Sequence, residues 1–464
     1  MTAPASRPRP ARRALDELSL PVQREDLDEL ALVAGWPQPE WLMSDRETAF
    51  DAWASLPGES NLLYTPYIDL RAAQLQSARQ PVSVAWQHVP ADLPDDASGL
   101  LVIAEGDVTA SALSSVAMDA GVELTTFAEL MDREPERAHA LFDLFELPTN
   151  DKFAQLTRAL WTQGVVLDVP PGVVLEKPIV IRWTVGDPDR ALLTRSFIRV
   201  GDGAQASVVE ELVGSSSAPP AAGAAPGQAF IAGTTEAILG SGASLKVASL
   251  QELPAHVVAI QHRRAAVGED GSLQWALAQL GGRLVRSRVD NRLVGDRSSV
   301  EQVEIVFGAD EQVFDLTSYT THIGRDTKGD LLSKGALLEK ARTYLKGLII
   351  IDKTAVGTDS FLGEFGMNLS KDARSVAIPS LEIDQPDCRR AAHSSSVGPI
   401  DETQLFYLES RGIPPDEARK FIVLGFLEPV VARVPLASAQ DRLRELLEAK
   451  WTAGTDGVTG EAAA

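Results

Sequence analysis

The spacing of hydrophobic residues changes twice along the chain. Up to about residue 160, apolar positions recur mostly at helical spacing, as in "PEWLMSDRETAFDAWASLP", with a few short strand-like runs between them. A long series of short β-branched segments follows, and helical spacing then returns near the C-terminus. The pattern predicts a mostly helical N-terminal domain over 15–160, a β core over 161–395 and a C-terminal helical domain over 396–452.

Four segments of the β core have related beginnings. They are "VGDGAQASVVEEL", "LGSGASLKVASL", "VGEDGSLQWALAQL" and "VGDRSSVEQVEIVF", each a glycine turn followed by an alternating strand. No helix of 10–15 residues separates them, which argues against a parallel sheet with helical crossovers. Small residues at regular corners are typical of stacked coils, where backbone approaches backbone. We therefore expect a mainly β fold, as a β-helix or a repetitive sandwich.

Three further segments have compositions that favour disorder. Residues 1–14 are rich in Pro and Arg, and residues 453–464 follow the last predicted helix. The stretch 214–230, "GSSSAPPAAGAAPGQAF", is of low complexity and interrupts the strands. The sequence predicts a disordered arm, a disordered tail and a flexible insertion within the β core, respectively.

The C-terminal region carries clear helix signals. Asp401 and Gln404 resemble a capping box, and Gly412 ends the first helix. Pro415 opens a second helix, and "ASAQDRLRELLEAKW" predicts a third. The stripe expected on this third helix consists of Leu443, Leu446, Leu447 and Trp451.

Composition excludes several classes of protein. The formal net charge is -22 over 464 residues, which argues against a nucleic-acid binder. One cysteine, Cys388, excludes an internal disulfide and an iron–sulfur cluster held by four cysteines of this chain. The N-terminus lacks the apolar segment of a signal peptide, and the apolar runs are too short to span a bilayer. We expect a cytoplasmic protein that does not bind a membrane.

Motifs for common chemistries are missing from the sequence. It contains no GxxxxGK[ST], HExxH, CxxC or GxSxG. Glu210, Glu211, Asp290 and Asp315 are scattered acids, so a carbohydrate-active β-helix enzyme with paired carboxylates remains an alternative. His393, in "AAHSSSVG", is either a metal ligand or a structural histidine.

The C-terminal third resembles the SufB/SufD family of iron–sulfur cluster assembly scaffolds. The resemblance rests on "HIGRDTKGDLLSKGALLEKARTYLKGLIII", "PSLEI", "AAHSSSVGPIDETQLFYLESRGIPPDEA" and "GFLEPVV", and extends more loosely over nearly the whole chain. Thr358 stands where the SufB branch typically has a cysteine, and Ala392 where it tends to have glutamate. Both departures favour the SufD branch.

The resemblance implies a right-handed parallel β-helix flanked by helical regions, without catalytic turnover of its own. Such a scaffold pairs with SufB through the β-helices and docks the SufC ATPase, which binds ATP, on its C-terminal helices. His393 would be a possible iron or cluster ligand at the SufB junction. The matching ATPase interface comprises Phe406, Tyr407, Arg411, Phe421, Ile422, Phe426 and Leu427.

The same resemblance implies no stably bound cofactor, only iron or an iron–sulfur cluster held transiently in the assembled complex. A homodimeric SufB/SufD-like scaffold is a further alternative where SufB is absent.

Overall fold

The computed structural model describes residues 16–80, 84–215 and 227–461. The predicted arm over 1–14 and most of the predicted insertion over 214–230 therefore lie outside the described residues. At the C-terminus, the backbone of the last helix continues to Glu461, beyond the boundary at 452 that the sequence suggested.

The core is a parallel β-helix of about eight turns, one of the two folds that the repeated strand beginnings favoured and the one that the family resemblance implied. Each turn contributes one strand to each of two sheets. Sheet 1 contains β3 (Glu123–Thr126), β4 (Val165–Val169), β6 (Ala191–Val200), β8 (Ala229–Leu239), β10 (Val257–Val267), β12 (Leu284–Leu293), β14 (Val313–His322), β16 (Arg342–Ile351) and β18 (Arg374–Ile383). Sheet 2 contains β1 (Gly99–Ala104), β2 (Asp107–Leu113), β5 (Ile179–Val185), β7 (Gln205–Gly214), β9 (Ser244–Glu252), β11 (Ser272–Gln279), β13 (Ser299–Gly308), β15 (Lys328–Leu337), β17 (Asp359–Asn368) and β19 (Arg390–Pro399).

The glycine turns form a column of stacked corners at one edge of the β-helix. A Cβ on Gly295 would overlap the backbone of Glu269, and one on Gly324 would overlap the backbone of Gly295. Backbone hydrogen bonds link successive corners, such as Asp270 N–H to the carbonyl of Asp296 at 2.9 Å. Close backbone approach at each corner therefore explains the recurring glycines.

Side chains alternate between the lumen of the β-helix and its outer faces. On β12, Val285, Val289 and Leu293 belong to the lumen core, whereas Arg286 and Arg288 project from the outer face of sheet 1. Parallel pairing in register places each lumen residue directly over its counterpart one turn earlier, so the interior is built from columns of side chains.

The N-terminal region covers the outer face of sheet 1. Its helices are α1 (Asp26–Ala34), α2 (Glu40–Ser55), a 3₁₀ turn (Thr65–Tyr67), α3 (Ser115–Asp119), α4 (Phe127–Arg133), α5 (Pro135–Phe142) and α6 (Lys152–Leu160). Asp151 caps α6, because its side chain accepts a 2.7 Å hydrogen bond from Ala154 N–H. Helix α6 buries Phe153, Leu156 and Leu160 against the sheet.

The C-terminal helices cover the outer face of sheet 2. They are α7 (Glu402–Ser410), α8 (Pro415–Val431) and α9 (Ala437–Glu461). The predicted stripe on α9 is confirmed, since its four members are buried, and the Trp451 ring stacks on Phe307 at 6.5 Å. Among the described residues, none of the helices combines the length and apolar character needed to cross a lipid bilayer.

Candidate binding site at the open end of the β-helix

The last turn of the β-helix is uncovered on one side. Strand β18 is hydrogen-bonded to β16 and β19 to β17, and within the described part of the chain neither has a second strand neighbour. Most positions on both strands are partly or fully exposed, whereas the inner strands are largely buried. We call the pair β18 and β19 the open end. Free strand edges of this kind can receive strands from another chain.

His393 lies on β19 at this open end. Its register partner on β17 is Leu362, a buried residue of the lumen core, so the imidazole lies on the lumen-facing side of the last turn. Because no further turn covers it, His393 is exposed. Within the described residues, no group of three or more His, Cys, Asp or Glu side chains could hold a metal ion. His393 can thus offer one ligand, and the others would have to come from another molecule.

Among the described residues, the structure shows no contact between His393 and a cysteine that could act as a further metal ligand. Cys388 is half-buried in the loop before β19, where it packs against the buried cluster that contains Leu362. Thr358 is fully buried one turn earlier. Its hydroxyl donates to the carbonyl of Ala355 at 2.8 Å, and its own carbonyl accepts from Arg389 N–H. The last turn of the β-helix therefore covers Thr358, so its side chain does not reach the open end.

A buried carboxyl lies directly beneath the open end. Glu364 on β17 is in register with Ser395 on β19, two residues from His393. Its Oε2 accepts a hydrogen bond from Ile378 N–H at 3.0 Å. Burial raises the pKa of Glu364 to about 8, so the group is mostly protonated at neutral pH. Sequence reasoning missed this residue, although its period-two spacing from Leu362 marks it as lumen-facing.

One other histidine, His322, and one of the scattered acids, Asp315, have structural roles. Buried His322 contacts the hydroxyls of Thr327 at 2.8 Å and Ser360 at 3.0 Å, and burial lowers its pKa to about 4. Asp315 forms a 2.5 Å ion pair with Lys346. The neutral imidazole is held by hydroxyls and therefore serves packing of the lumen.

The acids considered for glycoside cleavage do not form a free pair. The Oε2 of Glu210 lies 2.6 Å from Arg263 inside the lumen, and Asp290 is held by Arg288 and His262 on the outer face. A retaining or inverting glycosidase needs two carboxyls facing one bond across a cleft. These acids are neutralised separately by basic partners, which removes the geometric basis for that alternative.

Exposed aromatic side chains mark the C-terminal helices. Helix α7 has no buried residue, and Phe406 on it is 71% exposed, beside exposed Tyr407. The guanidinium of Arg411 lies 4.8 Å from the Tyr407 ring centroid, and Phe421 on α8 is 56% exposed. We call α7 and the outer side of α8 the aromatic surface.

Three residues predicted for the same interface lie deeper. Ile422 and Phe426 are half-buried, and the Phe426 carbonyl accepts from Lys334 Nζ at 2.7 Å. Leu427 differs from the prediction of an exposed interface residue, because it is fully buried against sheet 2 together with Val423 and Val430. Helical spacing places Leu427 on the same face as Val423 and Val430, about 120° around α8 from Phe421, so it belongs to the core of the chain.

Fold and site together define a class of protein. It is a parallel β-helix with one end left open, an exposed aromatic surface on its C-terminal helices, and no preformed metal-binding group among the residues described. The sequence matches the family described as "SUF system FeS cluster assembly, SufBD core domain" over residues 183–426, more than half of its length. The chain belongs to this SufBD family.

Individual relatives agree with this assignment. The chain is 30% identical over 300 residues to the iron–sulfur cluster assembly protein SufD of Bacillus subtilis, a match covering 64% of this chain and 67% of that protein. It is 31% identical over 224 residues to an iron–sulfur cluster assembly SufBD family protein of Mycobacterium tuberculosis, covering 47% of this chain and 56% of that one. The chain is therefore SufD-like by similarity.

Proposed function

We propose that this chain is a SufD-type scaffold for iron–sulfur cluster assembly, which pairs with a SufB subunit and docks a SufC ATPase. The observation that carries the proposal is the open end, where two parallel strands expose their edges beside His393. In this proposal the chain performs no turnover of its own. Iron or an iron–sulfur cluster is the cargo, and ATP is bound by the partner.

Pairing with SufB is supported by what the open end exposes. Strands β18 and β19 offer unpaired backbone donors and acceptors, and Ile383 and Val397 are exposed there. A second β-helix that adds its own edge strands would satisfy these backbone groups and bury these side chains. The two-sheet geometry would then continue across the junction between the subunits.

Docking of the ATPase is supported by helix α7. A nine-residue helix is marginal on its own in water, and this one buries no residue against the rest of the chain. Exposed Phe406, Tyr407 and Phe421 form an apolar surface of the kind that another protein covers. A partner would therefore both bury these rings and stabilise α7.

The role proposed for His393 is to share a ligand site across the SufB junction. A neutral imidazole suits iron, and thiolates from the partner would supply the remaining ligands. Its position on the last strand means that pairing at the open end would bring it against the partner. Because it would be only one ligand of several, the cargo would be held only by the assembled complex.

Co-purification with the cognate SufB and SufC candidates tests the two interfaces. Deleting residues 396–464 would also strip the core under α8 and α9, so single substitutions are cleaner. We expect Phe406→Asp to release the ATPase while SufB remains bound, because a charge replaces the ring at the centre of the aromatic surface. Met118→Asp, on exposed α3, is the matched control and should leave the complex intact. Retention of the ATPase by Phe406→Asp would contradict the docking surface.

Cluster reconstitution in the purified complex tests His393. We expect His393→Ala to leave the complex assembled but to lower the iron and sulfide that it retains, visible in its absorption spectrum. His139→Ala, on α5, removes a partly exposed histidine that stacks on Trp41, far from the open end, and serves as the control. Unchanged cluster content in His393→Ala would rule out its ligand role.

A further inference from the structure

A groove on the outer face of sheet 1 has not been given a role by the proposed function. It has a volume of about 600 Å³ and lies between residues 60–63 and strands β10 to β18. One end carries Arg264 and Arg292, and the floor carries Tyr319, Leu348 and Ile350. Its size is typical of sites for small organic ligands, which combine an apolar lining with a few polar groups.

The loop that forms the rim of the groove is fixed in place by buried contacts. Oε2 of Glu59 lies 3.1 Å from Nη2 of Arg286, and Tyr64 donates to the carbonyl of Gly347 at 2.8 Å. Between them, Nδ2 of Asn61 donates to the Tyr319 hydroxyl at 3.1 Å. The groove is therefore preformed, and a ligand would not have to order the loop.

The three arginines of the groove differ in their partners. Arg288 makes a bidentate contact with Asp290, at 3.0 and 3.1 Å, and lies 2.8 Å from Asp151. Arg264 and Arg292 have no carboxylate oxygen within 4.0 Å and no hydrogen-bond acceptor among the residues that the structure describes. Two half-buried guanidiniums thus face the groove without a direct ion pair from this part of the chain, and Asp290, Glu146 and Glu236 act on Arg264 only from a longer distance.

The register places these two guanidiniums close together. Ala266 on β10 is paired with Arg292 on β12, and Arg264 is two residues earlier on β10. Diagonal neighbours of this kind have Cα atoms about 7–8 Å apart, within the reach of two long side chains for one small anion. Burial lowers the pKa of Arg264, as expected for a cation without a close partner.

The opposite end of the groove carries a negative charge. Arg292, Thr321, Ile350 and Glu382 follow one another in register across four neighbouring strands. At about 4.8 Å per strand, Glu382 lies about 14 Å from Arg292. An extended polyanion would meet this carboxylate, whereas a compact anionic group with an apolar extension would not.

We propose that this groove binds a small phosphate monoester, with the phosphate between Arg264 and Arg292 and an apolar or aromatic group over Tyr319, Leu348 and Ile350. A phosphate dianion matches two guanidiniums in both charge and hydrogen-bonding geometry. The apolar floor favours an ester over free phosphate. Exposed Leu62, on the rim, would cover the apolar group from above.

Isothermal titration of the full chain with phenyl phosphate, inorganic phosphate and phenol tests this proposal. We expect saturable binding of phenyl phosphate, about tenfold weaker binding of inorganic phosphate, and none of phenol, because the site needs both anchors. The variant Arg264→Gln/Arg292→Gln should lose at least about tenfold in affinity for phenyl phosphate, since charge-assisted hydrogen bonds are removed. Arg325→Gln, on an exposed corner of the β-helix, removes the same charge elsewhere and should bind like the unmodified chain.

Three results would overturn the proposal. They are the absence of saturable phenyl phosphate binding, equal affinities for phenyl phosphate and inorganic phosphate, and unchanged binding by the arginine variants. The two single substitutions are titrated separately, so the test does not depend on the double variant remaining folded. Complex formation with the SufB and SufC candidates is measured independently, which separates this result from the proposed scaffold function.

Discussion

The two ends of the β-helix are finished in opposite ways. At the first end, β3 and β2 add antiparallel strands to the two sheets, and α4 to α6 pack a cluster of aromatic rings over the early turns. At the last end, β18 and β19 have no strand beyond them in the described chain. The same repeating unit is thus closed by its own chain at one end and left available at the other.

The two ends differ in the side chains that they bury, and therefore in how much each contributes to the stability of the fold. The first end supplies large buried side chains, such as Trp161 and Phe197, that stabilise the turns beneath them. The open end exposes small and polar side chains, such as Ser394 and Ser395, that tolerate contact with solvent. Under the proposed function, stability and interaction are therefore assigned to opposite ends of one continuous structure.

The largest expected effect comes from removing a ring at the closed end. Phe197 on β6 is fully buried and contacts the rings of Phe127, Phe145 and Trp161. We expect Phe197→Ala to lower the free energy of unfolding by about 3–5 kcal/mol, because it leaves a cavity in this cluster. Guanidinium denaturation followed by circular dichroism measures the change.

The matched substitution at the open end is Val397→Ala on β19. Val397 is 39% exposed, so we expect a loss below about 1 kcal/mol. Equal losses for the two variants would contradict the division between a stabilising end and an available end.

A slightly smaller effect is expected from the ion pairs that hold the N-terminal region on sheet 1. Arg286 is buried with Glu59 and Asp315, and the loop containing Glu59 depends on it. We expect Arg286→Met to cost about 3 kcal/mol of unfolding free energy, because the two buried acids Glu59 and Asp315 are left with only Lys346 to neutralise them. Arg297→Met breaks fully exposed ion pairs on a corner and should cause no resolvable change in the denaturation midpoint. A similar midpoint shift in both variants would show that the buried pairs do not anchor the loop.

Local patterns in the sequence were sufficient for much of the fold. Recurring glycine turns predicted the stacked coils, because close backbone contact leaves no room for a Cβ at positions such as Gly295. Helical spacing predicted the buried stripe of α9, and Pro415 predicted the start of α8. Each of these signals is a local pattern that depends on residues in the same element or in the adjacent turn of the β-helix.

The parts that were missed depend on distant neighbours. Glu59 meets Arg286 across 227 residues, and no local pattern announces that contact. Leu427 was predicted to lie at an interface because it was grouped with the other apolar residues of the C-terminal helices, and that grouping does not distinguish the two faces of α8. The groove proposed to bind a phosphate monoester was also missed, because only the register of β10 and β12 brings Arg264 and Arg292 close together.

A smaller effect than that of Arg286→Met is expected at Glu364, which is buried one turn below the open end. In the folded chain burial holds its pKa at about 8, whereas the unfolded value is near 4.5. The folded state therefore binds one more proton than the unfolded state between these values, so the free energy of unfolding falls as pH rises through this window and levels off above about 8. We expect Glu364→Gln to remove this slope and to exceed the wild type by about 1–3 kcal/mol at pH 8.

Denaturation curves at several pH values from 5 to 8 measure the difference between the two proteins. His322 contributes a slope of opposite sign below its unfolded pKa of 6.5, because its folded pKa is about 4, but it is present in both proteins and cancels. The difference curve thus isolates the one carboxyl. If the wild type and Glu364→Gln run parallel, water at the open end already solvates the carboxylate, and the boundary between buried lumen and available surface lies one turn deeper, at β17.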